Sequence, residues 1–272
     1  VNQISLHMIE YPNDNPPMLL MHGLTANAHA FDGLIQAGLA DNFHVYSVDL
    51  RGRGLSSKPL NAYSIAEHAQ DIMCLLDVLH IDQIILCGHS FGGLLASYLA
   101  YHYNNRFLQV ILLDAAPEMN PRSAEMLSAA IMRLDQSYPT FEEYLSLIRK
   151  APYLSCWDEA MLSYYKADVE TATDRSVKPR SRLQDIIQIA VAVSKEPWGL
   201  YFTQMKQKAI LINALENYNL DMPLLLPEKA KLIVAEMQDA AYVSMSGNHQ
   251  TMLYGKHAEE LLKIIRMFTS IV

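Results

Sequence analysis

Three cysteines in 272 residues, Cys74, Cys87 and Cys156, are too few and too scattered for a disulfide framework. None forms the CxxC spacing of a zinc site, and the odd set predicts a reducing, cytoplasmic setting. Glycine and proline, at 11 and 12, exclude a collagen-like or low-complexity chain. No uninterrupted apolar run approaches the roughly 18 residues that a membrane span needs. The start, Val1-Asn2-Gln3-Ile4 with Glu10 and Asp14 close behind, has no basic head leading into an apolar stretch, so no secretory signal is visible. Positive charge is also scarce. Lys and Arg number 21 against 29 Asp and Glu, a net charge of −8. That balance repels phosphate backbones and anionic lipid, which argues against nucleic-acid and membrane partners. Ten histidines show no HExxH or other ligand spacing, and no glycine-rich nucleotide loop is present, so neither a metal nor a cofactor is expected. Apolar residues are abundant, at 51% with 18% charged, which excludes disorder and predicts a soluble globular chain.

Short branched-aliphatic runs alternate with longer helical patterns. Val45 to Val48, Ile84 to Cys87, Val110 to Leu113 and Ile210 to Ile212 have the length and flanks of strands buried on both faces. Ser64 to His80 reads as an amphipathic helix opened by a capping box, Ser64 with Glu67. Phe91 to Tyr103 and Ala258 to Phe268 carry the same helical signal. This alternation predicts an α/β fold, a mostly parallel sheet flanked by helices. From Pro117 to about Lys206 the strand signal disappears. Helical blocks follow at Pro121–Leu134 (Asn120 as N-cap), Phe141–Lys150, Trp157–Ala167 and Leu183–Ser194. The strand pattern then resumes at 209–212 and 241–243. The predicted organisation is a sheet core over 1–117 and 207–272, with a helical cap at 118–206 inserted before the last two strands. The cap holds 11 basic and 12 acidic residues, leaving 10 and 17 in the core, so most of the negative charge belongs to the core.

Gly88-His89-Ser90-Phe91-Gly92-Gly93 is the sharpest chemical feature. It lies between a predicted strand and a predicted helix. A serine on so tight a turn needs neighbours without bulk two residues before and after, which Gly88 and Gly92 supply. The hydroxyl then stands at a helix N-terminus, where the Phe91 N–H faces a developing oxyanion. Met21-His22-Gly23-Leu24 ends another strand and offers the Leu24 N–H as a second donor, with His22 read as fixing the loop. Ser246-Gly247-Asn248-His249 follows the last predicted strand and places His249 as general base.

The order of His22-Gly23, Asp49-Leu50-Arg51-Gly52-Arg53-Gly54, the Ser90 turn, a helical insertion and a late Gly-x-His resembles the α/β-hydrolase fold superfamily over about residues 4–268. Within it, the chain is similar to capped serine esterases and carbon–carbon bond hydrolases. The resemblance implies an eight-stranded sheet that this chain enters near the second strand. Serine at the elbow argues against the dehalogenases and epoxide hydrolases of this fold, which carry Asp there. Relatives place the acid in a Gly-x-x-Asp after the cap, but that slot falls here on Asn217 or Tyr218. Asn cannot neutralise the imidazolium of His249. Asp114, at the end of the strand before the cap, is the favoured acid, Glu216 the alternative, and Asp221 a third.

The cap is expected to roof the pocket, with Met119, Met126, Met132, Met161, Met205, Trp157, Tyr164, Tyr165 and Trp198 divided between pocket lining and helical core. Arg175, Lys178, Arg180 and Arg182 form a basic cluster, read as a solvated loop or as an attractor for a substrate carboxylate. The function expected from these residues is hydrolysis of a small to medium carboxylic ester through an acyl-enzyme on Ser90. Asp114 would orient His249, and Leu24 and Phe91 would hold the oxyanion. A carbon–carbon bond hydrolase, a lactonase and a non-catalytic small-molecule receptor are the alternatives. The expected partner is a small-molecule ester, with a homodimer allowed.

Overall fold

The computed structural model describes residues 1–270. The first part of the chain runs β1 (Met8–Tyr11), β2 (Pro17–Met21), α1 (Asp32–Gln36), β3 (His44–Val48), α2 (Ile65–Val78), β4 (Ile84–His89), α3 (Phe91–His102) and β5 (Phe107–Leu113). An insertion follows with α4 (Ser123–Met132), α5 (Phe141–Ile148), α6 (Glu159–Asp168), a hairpin of β6 (Val169–Thr171) and β7 (Val177–Pro179), α7 (Leu183–Val193) and α8 (Trp198–Gln204). The chain returns through β8 (Lys208–Ala214), α9 (Pro227–Glu236), β9 (Ala240–Met245) and α10 (Gly255–Thr269).

Among the described residues the main sheet has seven strands in the order β1-β3-β2-β4-β5-β8-β9, rather than the eight implied by the resemblance. Only β1, at the edge, is antiparallel; it pairs Met8 with Val48 along its neighbour β3. Alternation along the strands shows why the sheet is covered on both faces. Leu19, Met21, Leu86, Val110 and Leu112 enter one core cluster, while Met18, Leu20, Ile85, Cys87, Ile111 and Leu113 enter the other. At about 1.5–3 kcal/mol for each fully buried large aliphatic, this double burial is the main force holding helices to sheet. The Ser64–Glu67 capping box opens α2. After β2 the next strand lies to one side (β3), and β4 lies to the other. The loops leaving β2 and β4 therefore part at their C-terminal ends and leave a crevice there, the usual place for a ligand in an open α/β sheet.

Three local expectations need correction. The insertion is not purely helical, because its hairpin strands are three residues each, too short to show a period of two. Helix α4 begins at Ser123, not Pro121, and Asn120 is not its N-cap. Instead the Asn120 side chain accepts from the Arg122 N–H at 2.9 Å and closes a turn before the helix. Strand β1 carried no signal, since its MIEY sequence is an edge strand with only one clearly solvated position.

Candidate active site

Ser90 sits between β4 and α3 at φ +54°, ψ −118°. A non-glycine residue held at positive φ is strained, and the close packing around it maintains that geometry. A Cβ on Gly88 would overlap the Gly92 carbonyl, and one on Gly92 would overlap the Met21 carbonyl. These two glycines let the first turn of α3 press against β4 and β2. The Ser90 N–H donates to the Leu113 carbonyl at 3.0 Å, which ties the turn to β5.

The end of β5 delivers Asp114, which is fully buried and has φ +48°. Its Oδ2 accepts from His249 Nδ1 at 2.7 Å, and its Oδ1 accepts from the Asn213 side chain at 2.8 Å and the Ala214 N–H at 3.0 Å. Asn213 is held in turn by the Tyr242 hydroxyl at 3.0 Å. Because a carboxylate is the acceptor, the His249 proton is assigned to Nδ1, which leaves Nε2 bare. Asn248 braces the loop through the Tyr153 and Asn217 carbonyls, at 3.0 and 3.1 Å.

Glu216 lies elsewhere. It is exposed, and its Oε1 accepts from the Gly247 N–H at 2.9 Å without touching His249. Asp221 is exposed as well. Tyr218, one of the two positions on which the Gly-x-x-Asp slot falls, packs its ring edge-on against the His249 ring, with centroids 5.6 Å apart. Burial pushes the Tyr218 phenol up, so it stays neutral beside the imidazole.

Ser90 and His249 line one cavity of about 50 Å³, together with Leu24 from the loop after β2. No Ser90–His249 hydrogen bond is formed among the described residues. Such contacts are often loose in unliganded hydrolases and tighten with substrate. Phe91 opens α3 directly after Ser90, and its ring is turned into the core, 5.2 Å from the Arg53 guanidinium. His22 donates from Nδ1 to the Gly23 carbonyl at 2.7 Å, while its Nε2 accepts from the Leu50 N–H at 3.1 Å. Burial, helped by nearby Arg53, pushes its imidazole down to about 4, so it is a neutral brace for the loop. His89 also lines the cavity. It is likewise kept neutral by burial and by His249, and its Nε2 donates to the His249 carbonyl at 2.8 Å.

The insertion supplies part of the remaining wall. None of the singled-out methionines or tryptophans lines the cavity, although Tyr164 and Tyr165 do. Tyr153, Tyr218 and Arg133 join them. Nor does any residue of the Arg175–Arg182 cluster reach this cavity, so the reading of that cluster as the attractor of a substrate carboxylate at Ser90 is not supported. Arg133, at the end of α4, stands there instead. Burial opposes its charge, but the Asp168 carboxylate beside it and the surrounding tyrosines hold the guanidinium well above its usual range.

The Arg133–Asp168 pair is loose. Nη1 lies 3.2 Å from Oδ2 without making a hydrogen bond, and Nη2 donates to Oδ1 at 3.4 Å. The equally buried Arg51–Asp71 pair shows the alternative, with two parallel bonds of 2.6 Å and Asn2 also donating to Asp71. A buried guanidinium with an unused donor costs about 1–3 kcal/mol unless something accepts from it.

Comparison with known proteins identifies the family. The alpha/beta hydrolase fold family matches residues 16–151, half of the chain, and the protein belongs to that family. It is 35% identical over 120 residues to 3-oxoadipate enol-lactonase 2 of Acinetobacter baylyi, covering 44% of this chain and 45% of that protein. It is 32% identical over 149 residues to 2-(acetamidomethylene)succinate hydrolase of Mesorhizobium japonicum, covering 54% and 53%. The chain thus spans about half the length of these curated relatives. The crystal structure of an E-2-(acetamidomethylene)succinate hydrolase superposes with a TM-score of 0.84 at 22% identity, over 98% of this chain and 96% of that one, a likeness of fold.

Proposed function

We propose that the protein is a serine hydrolase that cleaves small carboxylic esters through an acyl-enzyme on Ser90, with the insertion acting as a cap over the site. The observation that carries this reading is the 2.7 Å contact of Asp114 with the Nδ1 of His249, which lines the same cavity as Ser90. Asp114 holds the Nδ1 proton, so the bare Nε2 takes the proton of Ser90 Oγ as that oxygen attacks the carbonyl. The tetrahedral oxyanion rests on the N–H groups of Leu24 and Phe91. Collapse breaks the ester bond, and the departing alkoxide takes the proton from His249. Water then attacks the acyl-enzyme with His249 again as base, and a second collapse frees the acid and restores Ser90. A cavity of about 50 Å³ favours a short acyl group.

Arg133 favours a narrower second reading, in which the substrate carries a carboxylate. Arg133 lines the cavity and keeps one unused donor, and two relatives are named for an oxoadipate lactone and a substituted succinate. Steady-state hydrolysis of p-nitrophenyl acetate and of mono-p-nitrophenyl succinate tests both readings. Turnover of both esters, absent in Ser90→Ala, is the expected result, with kcat/KM higher for the succinate. Turnover that survives Ser90→Ala removes the first reading, and a preference for the neutral ester removes the second.

A further inference from the structure

A second cavity, of about 540 Å³, lies where the β6–β7 hairpin and the start of α7 approach the loop after β3. Lys58 reaches it from the sheet domain, and Lys178, Arg180 and Arg182 from the insertion; Asp135 and Glu170 are the carboxylates in its wall. These charges are unevenly settled. Lys178 pairs with Glu170 at 3.0 Å. Arg182 reaches Asp185 at 2.6 Å, and its Nη2 donates to the Lys58 and Pro59 carbonyls at 2.8 and 3.0 Å. Among the described residues Lys58 Nζ donates to the Gly54 and Ser56 carbonyls, at 2.7 and 3.1 Å, and contacts no carboxylate. Arg180 forms no ion pair among the described residues, and its Nε is buried without a hydrogen-bond partner. Burial, with the neighbouring Arg180 and Arg182, pushes the Lys58 ammonium down, against the pull of the Asp49 and Glu170 carboxylates. Like charges crowded around a polar cavity, in a chain of net charge −8, are a cost that a bound anion would remove.

We propose that this cavity binds a small multivalent oxyanion, a phosphorylated or polycarboxylate metabolite, between Lys58 of the sheet domain and Arg180 and Arg182 of the insertion. Planar guanidinium groups suit tetrahedral and trigonal oxyanions, and the cavity has room for the organic part of such a molecule. Binding links the two regions and therefore stabilises the fold by mass action. This site is separate from Ser90, so the inference stands whether or not the proposed hydrolysis does.

The test is thermal unfolding of the full chain titrated with inorganic pyrophosphate or with citrate, alongside sodium chloride at matched ionic strength. A saturable rise of a few degrees in Tm with either multivalent anion, absent with chloride, is expected. The stronger of the two identifies phosphate or carboxylate as the chemistry. Arg180→Gln, which removes no existing hydrogen bond, should weaken the apparent affinity at least tenfold, and Lys58→Gln should act in the same direction. No saturable rise, an equal rise with chloride, or undiminished binding in both variants overturns the proposal.

Discussion

The cavity at Ser90 and the one at Lys58 both lie between the insertion and the sheet domain, and they differ about tenfold in volume and in how their charges are balanced. At the small one the ionised groups lie against an opposite charge or are held neutral, although Arg133 keeps one unused donor. Arg133 faces Asp168, Asp114 faces His249, and burial keeps His89 neutral. Among the described residues, Lys58 and Arg180 of the large one have no carboxylate within contact. A site for chemistry needs its charges settled beforehand, because a preorganised field stabilises a transition state only if it need not rearrange. A site for binding an anion can leave cations exposed to each other until the anion arrives.

The contrast breaks most severely at Asp114. Replacing it with Asn leaves His249 without a carboxylate, and kcat should fall by roughly 10⁴-fold, as for other triads of this kind. Glu216→Gln should stay within about threefold of wild type. Steady-state kinetics on a short ester measures both, and the reverse pattern would identify Glu216 as the acid.

Acid attacks the neutral part of the contrast. His22, His68 and His89 are held below their ordinary value by burial. Above about pH 6.5 they are neutral folded or unfolded. As pH falls, the unfolded chain takes up protons that the native state refuses, until His22 titrates near pH 4. Stability should therefore drop at about 1.4 kcal/mol per pH unit for each histidine across that window. Urea unfolding at pH 7.0, 6.0 and 5.0 reads the slope, and a flat profile would mean that these rings are not neutral in the fold.

Arg133→Gln sharpens the comparison from the other side. Loss of one charge-assisted bond to a substrate carboxylate is worth about 1.5–3 kcal/mol, so kcat/KM for mono-p-nitrophenyl succinate should fall roughly 10- to 100-fold. Turnover of p-nitrophenyl acetate should change less than about threefold, and equal losses on both esters would assign Arg133 to folding alone. The smallest effect belongs to Arg180→Gln, whose ester turnover without added anion should match wild type within about twofold.

The parts of the site that were legible in the sequence are those governed by local geometry. Gly88 and Gly92 announce the Ser90 turn because no side chain fits beside the neighbouring carbonyls. His249 was readable from its loop after the last strand. Asp114 was readable only as one of three carboxylates, since its approach to His249 depends on β5 and β9 converging across β8, which no local pattern encodes. Arg133, Tyr153 and Tyr218 were missed for the same reason, because only tertiary packing carries them to the cavity. The β6–β7 hairpin and β1 escaped because three or four residues are too few for a periodic signal.

The central claim is that Ser90 is a nucleophile activated by His249 and Asp114. Reaction with a fluorophosphonate, followed by peptide mass spectrometry, tests it most directly. One phosphonyl group on the peptide containing Ser90, formed far more slowly in Asp114→Asn, is the predicted result. A folded protein that remains unlabelled, or that is labelled at another residue, would contradict it.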